Sequence, residues 1–303
     1  MKIIDIHTHV YRHQPLANTS SPPFSTPEQL IKRYDEMKVD YAVLLPIVSP
    51  EIYSPQAVED IIEISQQYPD RFIPYCNVDP RCCTNSSRAP LDVVIHNYKE
   101  MGCKGVGEVM PNLSLMDEKV QNLFACAAKE NMPIVYDGAV QIGGAFGLYD
   151  DPGLPMLEYT LQEFPDLKIF GHGPVFWTEL AKLETPAERG VFMGWHGHQI
   201  NRLPTGFYSE EGVVPKLFRR YPNLCGDLSD GTPLLAILRN PELGLRFLSE
   251  FEDRLYFGTD MVAPDMPVAT TEYLLSWREQ GKISETTFRK IAYDNAAKLL
   301  DIH

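Results

Sequence analysis

Positive charge is scarce in this chain. Its 27 lysines and arginines stand against 41 aspartates and glutamates, a formal net charge of −14. No arginine stripe or lysine run departs from that balance. So acidic a chain argues against binding to a phosphate backbone. Long apolar runs are missing too: no stretch approaches the roughly 18 residues of a membrane span. Asp5 and His7 break the first apolar run and no small-residue cleavage site follows, so that run does not read as a signal peptide. The six cysteines form no C-x-x-C pair and read as reduced thiols of a cytoplasmic protein. Repeats, low-complexity tracts and internal linkers are lacking, which favours one domain over residues 1–303.

What the chain has is regular alternation. Strand-like runs are expected at Ile3–Val10, Tyr41–Val48, Phe72–Val78, Lys104–Met110, Pro133–Val140, Leu167–His172, Leu224–Leu228 and Leu255–Asp260. Helix-like segments separate them. Thr26-Pro27-Glu28 reads as a cap with proline at the first helical position, and Ser54-Pro55 reads the same way. Val120, Leu123, Phe124, Ala127 and Ala128 fall on one helical stripe. Tyr68-Pro69-Asp70, Phe164-Pro165-Asp166 and Tyr221-Pro222-Asn223 end three helices in one style, each before an apolar strand. Eight strand–helix units, most about thirty residues long, are what a (β/α)8 or TIM barrel requires. A doubly wound open sheet usually has fewer strands and a Gly-rich first turn, where this chain carries His7-Thr8-His9. The sixth unit is too long. Residues 176–205, rich in Gly, Trp and His, read as a loop or lid inserted over the barrel mouth.

In such a barrel, catalytic groups sit at the C-terminal ends of the strands. Those ends yield His7 and His9, then Glu108, Asp137, His172, Asp227 and Asp260. Side chains alternate along a strand, so Asp5, His7 and His9 are expected on one face. Imidazoles and carboxylates converging from successive strand ends suit Zn²⁺ or a similar divalent ion. Each residue also has a plainer role. H-x-H is a weak signal alone, Glu108 can join a loop salt bridge, Asp260 can cap the next helix, and His172 can bond a turn backbone. All of these must hold at once to remove the site. In the insertion, His196, His198 and Arg202 are candidate substrate contacts, with exposed loop positions as the alternative. Trp177 is a candidate pocket wall unless it packs in the core.

The motifs Ile4-Asp5-Ile6-His7-Thr8-His9, Leu167–His172, Phe257-Gly258-Thr259-Asp260 and the closing Asn295-Ala296-Ala297-Lys298-Leu299-Leu300 resemble those of the amidohydrolase superfamily, in its amidohydrolase-related (family 2) branch. The resemblance covers essentially the whole chain. It implies a distorted (β/α)8 barrel with one or two divalent metals at its mouth. It also implies His7 and His9 as first-strand ligands, His172 as the sixth-strand histidine, and Asp260 as eighth-strand ligand and proton shuttle. Two positions depart from the family pattern. Asp137 stands where a metal-binding histidine is usual. Glu108 stands where some branches carry a bridging carboxylate or a modified lysine, and is similar to the glutamate of the metal-dependent deoxyribonuclease branch. Two added carboxylates would balance a second cation. The alternative is one ion on His7, His9 and Asp260, with the other groups behind it.

The expected activity is metal-dependent hydrolysis of a small organic amide, ester or lactone. Asp260 would move the proton, His172 would ligate or stabilise the oxyanion, and Asp5 would orient the His7 imidazole. The runner-up is non-oxidative decarboxylation of an unsaturated or aromatic carboxylate gripped by Arg202. A third reading is a barrel that holds metal and ligand without turnover, supported only by Asp137. The expected partner is a small molecule, with no nucleic acid and no membrane; a homo-oligomer is left open.

Overall fold

The apolar runs become short parallel strands in a computed structural model that describes residues 2–13, 24–52, 55–143, 146–189, 204 and 206–302. In chain order they are β1 (Ile4–Thr8), β2 (Tyr41–Leu44), β3 (Phe72–Pro74), β4 (Val106–Val109), β5 (Ile134–Ala139), β6 (Leu148–Tyr149), β7 (Ile169–His172), β8 (Leu224–Asp227) and β9 (Leu255–Tyr256). β1, β2 and β3 form one parallel arc, and β4, β5, β7, β8 and β9 form another. Two bridges join the arcs, Cys76 with Val106 and Thr8 with Met261. Main-chain bonds from Ile6 N to Phe257 O (3.0 Å) and from Asp260 N to His7 O (2.8 Å) complete the second seam. The result is a ring of parallel strands in the expected order. Only β6 was not expected. It has two residues, too few for a periodic signal, and pairs with the end of β5.

Helices cover the ring: α1 (Pro27–Met37), α2 (Val58–Gln67), α3 (Leu91–Glu100), α4 (Glu118–Lys129), α5 (Pro155–Glu163), α6 (Gly173–Thr178), α7 (Val213–Arg220), α8 (Thr232–Arg239), α9 (Pro241–Glu250), α10 (Ala269–Glu279), α11 (Glu285–Arg289) and α12 (Asn295–Leu300). Thr26 caps α1 in a capping box with Gln29. The α4 stripe is buried at Val120, Leu123, Phe124 and Ala127. Tyr68, Phe164 and Tyr221 end α2, α5 and α7, each followed by proline, which cannot continue a helix. α2 begins at Val58, later than Ser54-Pro55 suggested, and Ser54 lies outside the described residues. Among the described residues no helix is long and apolar enough to cross a membrane.

Burial falls into two layers. Ile4, Ile6, Val43, Tyr75, Val135, Phe170 and Tyr256 fill the ring, and Ala296, Ala297 and Leu300 of α12 pack against them. Leu44, Val106, Ile134, Ile169 and Leu224 face outwards to the helices. The region read as an insertion begins differently from expectation. Phe176 and Trp177 belong to α6 and are buried in that outer layer. A 3₁₀ turn follows at Pro186–Arg189, and residues 190–203 lie outside the described residues.

Two strands do not alternate simply. β1 advances three residues, Asp5 to Thr8, while β2 advances two, Ala42 to Leu44. β4 likewise advances from Val106 to Val109 while β5 advances from Ile134 to Tyr136. Such bulges re-aim side chains. Asp5 therefore does not share a face with His7. Its carboxylate accepts bonds from the Tyr34 hydroxyl of α1, the Thr259 hydroxyl, and the main-chain N–H groups of His7 and Thr259, at 2.5–3.0 Å. The expected role of Asp5 in orienting the imidazole is corrected: it fixes the backbone of β1 to the loop after β9.

Asp5 is fully buried and satisfies four donors. Removing it leaves those donors unpaired at about 1–3 kcal/mol each before relaxation. Asp5→Ala should therefore lose about 3–5 kcal/mol in urea unfolding. An unchanged midpoint would contradict this role.

Candidate metal centre

Strand ends place three imidazoles, His7, His9 and His172, among the carboxylates of Glu108, Asp137, Asp227, Asp230 and Asp260. Each imidazole is held by its Nδ1. His7 Nδ1 donates to Asp227 Oδ2 at 2.6 Å, and His9 Nδ1 donates to the Leu45 carbonyl at 2.9 Å. His172 Nδ1 lies 3.2 Å from Asp227 Oδ2 and 3.0 Å from Ser229 Oγ. With Nδ1 engaged, each Nε2 can turn a lone pair inwards.

The inward atoms keep regular distances. His7 Nε2 is 3.2 Å from His9 Nε2, 3.3 Å from Glu108 Oε2 and 3.5 Å from Asp260 Oδ1. His9 Nε2 is 3.3 Å from each of the same two oxygens. Ligands bonded at about 2.0–2.2 Å to one ion stand about 3–3.5 Å apart. The separations of the two imidazoles from each other and from each carboxylate therefore suit a single divalent cation. Glu108 turns its other oxygen toward His172, with Oε1 3.4 Å from His172 Nε2. Glu108, Asp137 and His172 offer atoms within 4.8 Å of one another, a second place for a cation that shares Glu108.

Backbone shape leaves room for Asp137. Gly173 at φ +81° and Gly147 at φ +96° flank its two carboxylate oxygens. A β-carbon on Gly173 would overlap Oδ1, and the left-handed backbone at both positions also favours glycine.

Charge is finely opposed here. Burial pulls the His7 imidazole down, but Asp227, Glu108 and Asp260 raise it well above its ordinary value. Burial and the adjacent His7 lower His172, yet Asp227 and Glu108 push it up to about 10. Burial raises Glu108 and Asp227, but His7 and His172 hold both carboxyls low. Asp137 is left outweighed: burial and the Glu108 charge lift it well above the carboxylate range, although His172 pulls it down. Burial raises Asp230 to about 6. The carboxylates have outbid the dehydration of every imidazole, so this cluster calls for positive charge.

A cavity of about 360 Å³ opens onto the cluster, within the roughly 300–1,000 Å³ usual for small-molecule sites. His9, Glu108, Asp137, His172 and Asp260 reach it, while His7 and Asp227 lie behind. Phe24, Ile47, Ile52, Met110, Phe146 and Val262 form an apolar wall.

The structure thus brings His7, His9, Glu108, Asp137, His172 and Asp260 into overlapping groups of three at the barrel mouth. It does not bring Trp177 there. That ring is fully buried against Phe176 and Phe247, and its Nε1 donates to the Asp227 carbonyl at 2.9 Å. Trp177 supports the strand end rather than walling the pocket. His196, His198 and Arg202 lie outside the described residues. Sequence reading missed Asp227 and Ser229 as holders of imidazoles, although Asp227 stood at a strand end. It also missed Met110 and Val262. Their signal was present: each follows a site carboxylate by two positions, after Glu108 and after Asp260.

No family model and no curated protein matches the chain. Solved structures do match. An uncharacterized TIM-barrel protein from Bordetella bronchiseptica is 16% identical, with a TM-score of 0.64 over 100% of this chain and 99% of that one. The chain has the TIM-barrel fold. A probable 2-pyrone-4,6-dicarboxylic acid hydrolase from Acinetobacter baumannii, with citric acid bound, is also 16% identical, with a TM-score of 0.61 over 99% of this chain and 100% of that one. A 5-carboxyvanillate decarboxylase from Novosphingobium aromaticivorans, complexed with manganese and 4-hydroxy-3-methoxy-5-nitrobenzoic acid, is 16% identical, with a TM-score of 0.60 over 99% of this chain and 96% of that one.

Because Asp227 holds two of the imidazoles, it should govern ion affinity from behind. Asp227→Ala should weaken binding of added Zn²⁺ or Mn²⁺ by roughly 10–100-fold in calorimetric titration, with circular dichroism unchanged. Equal affinity in a folded variant would remove this role.

Proposed function

We propose that this chain is a metal-dependent hydrolase of a small organic amide, ester or lactone. The observation that carries the reading is that His7 Nε2 and His9 Nε2 lie 3.2 Å apart and each stands 3.3–3.5 Å from Glu108 Oε2 and from Asp260 Oδ1. These four residues would hold one divalent ion. His172 and Asp137 would hold a second through the far oxygen of Glu108. Zn²⁺ suits the nitrogen-rich position, and the carboxylate-rich position also suits Mn²⁺. When bound, such ions supply Lewis-acid activation of a scissile carbonyl and of water.

The residues divide the remaining work. Asp260 is the ligand carboxylate most open to the cavity, with its side chain 23% exposed against 5% for Glu108. It therefore takes the proton of the attacking water as the new carbon–oxygen bond forms. It returns that proton to the departing alkoxide or amine as the old bond breaks. His172, anchored through Nδ1, presents Nε2 to the cavity and stabilises the developing oxyanion or a second ion. Leu45, Asp227 and Ser229 keep the imidazoles from turning. The six free thiols, with Cys82 and Cys83 adjacent and exposed, fit the reducing cytoplasm.

Decarboxylation of an aromatic acid is the second reading. The matched 5-carboxyvanillate decarboxylase favours it. It asks for a cation facing the substrate carboxylate. Among the described residues no lysine or arginine lines the cavity, and Arg202 lies outside them.

The metal-loaded protein should hydrolyse members of a panel of esters, lactones and amides, and chelation should abolish turnover until Zn²⁺ or Mn²⁺ is restored. Asp260→Asn should keep the fold and at least one ion but lose about 100-fold or more in kcat. Full activity in Asp260→Asn would refute its role. Carbon dioxide release from aromatic acids, with no ester or lactone cleaved, would favour the second reading.

A further inference from the structure

We infer, resting on the hydrolase reading, that the acyl substrate is uncharged and carries an apolar group. The cavity has two unlike sides. Asp137, His172, Asp230 and Thr232 come from β5, β7, the loop after β8 and the start of α8. The opposite wall comes from the loops after β1, β2, β4, β6's approach and β9: Phe24, Ile47, Ile52, Met110, Phe146 and Val262. That wall is itself packed. Tyr11, Phe24, Ile47, Ile52 and Met110 form a separate buried cluster, with the Tyr11 and Phe24 rings 4.4 Å apart between centroids.

This arrangement ranks substrates by charge. Once cations satisfy Glu108, Asp137 and Asp260, the rest of the described lining is apolar apart from His9, His172, Thr232 and Asp230. A substrate carboxylate on the apolar side would lose its hydration without gaining a partner. On the other side it would compete with the developing oxyanion for His172 and stand beside Asp230. Outside the described residues, Arg202 is the only arginine or lysine in the sequence. An alkyl or aryl group, in contrast, is bound more tightly with each methylene buried against the wall. The matched 2-pyrone-4,6-dicarboxylic acid hydrolase is named for a substrate with two carboxylates; this cavity is built for the opposite character.

The test compares a δ-lactone bearing a pentyl chain with the same lactone bearing a terminal carboxylate on that chain, using the Mn²⁺-loaded protein. The neutral lactone should be cleaved with kcat/KM at least tenfold higher. Ile52→Ala should reduce that preference by roughly tenfold, as the loss of a few methylene contacts predicts. Arg202→Ala should leave the preference unchanged. Faster cleavage of the carboxylate lactone, or its selective loss in Arg202→Ala, would overturn the inference. Calorimetry with the matching lactams separates the two levels. Tenfold tighter binding of the neutral lactam with no lactone cleaved would overturn the hydrolase reading and support this inference. Tighter binding of the carboxylate lactam would overturn this inference whatever the turnover.

Discussion

Carboxylates buried at the mouth of the barrel impose the condition on which the rest of the structure depends. Moving such a charge out of water costs several kcal/mol per ion even after the protein relaxes. Glu108 and Asp227 meet that cost through His7 and His172, whose proton affinity they in turn raise. For Asp137 the pull of His172 is outweighed, and burial and Glu108 push it toward the neutral acid. A cluster so short of positive charge is unfavourable as a mere structural element. It becomes favourable when divalent cations sit among the inward-facing atoms, because the same burial then strengthens each attraction.

The scaffold meets this condition by local departures from regularity. Bulges in β1 and β4 fall beside His7 and Glu108, whose inward atoms stand 3.3 Å apart. In β1 the shift separates Asp5 from His7, so one residue ties the strand to α1 and to the loop after β9 while the other faces the cavity. Asp227 performs a similar division in the opposite direction: its carboxylate grips two imidazoles, and its carbonyl accepts the Trp177 indole N–H. Core packing and site geometry are therefore joined through the same few residues.

Much of this was legible in the sequence because it is carried by periodicity and by strand ends. The alternation of apolar runs located eight of the strands, and the chemistry at their ends located His7, His9, Glu108, Asp137, His172 and Asp260. What escaped depends on contacts between distant segments. A bulge is defined by its partner strand, so β1 alone suggested that Asp5 and His7 share a face. Trp177 was drawn to the pocket by its place beside a Gly-rich stretch, but α6 turns it into the core. The apolar wall comes from loops that no periodicity marks. Met110 and Val262 show that positions two beyond a ligand can still face the cavity, which extends the strand-end rule into the loops.

The central claim is that the inward atoms of His7, His9, Glu108 and Asp260 enclose a cation. The most direct measurement is anomalous X-ray scattering from crystals grown with Mn²⁺. The account predicts a strong peak among His7 Nε2, His9 Nε2, Glu108 Oε2 and Asp260 Oδ1. Ordered crystals in which Mn²⁺ is absent there, or is held elsewhere, would contradict it.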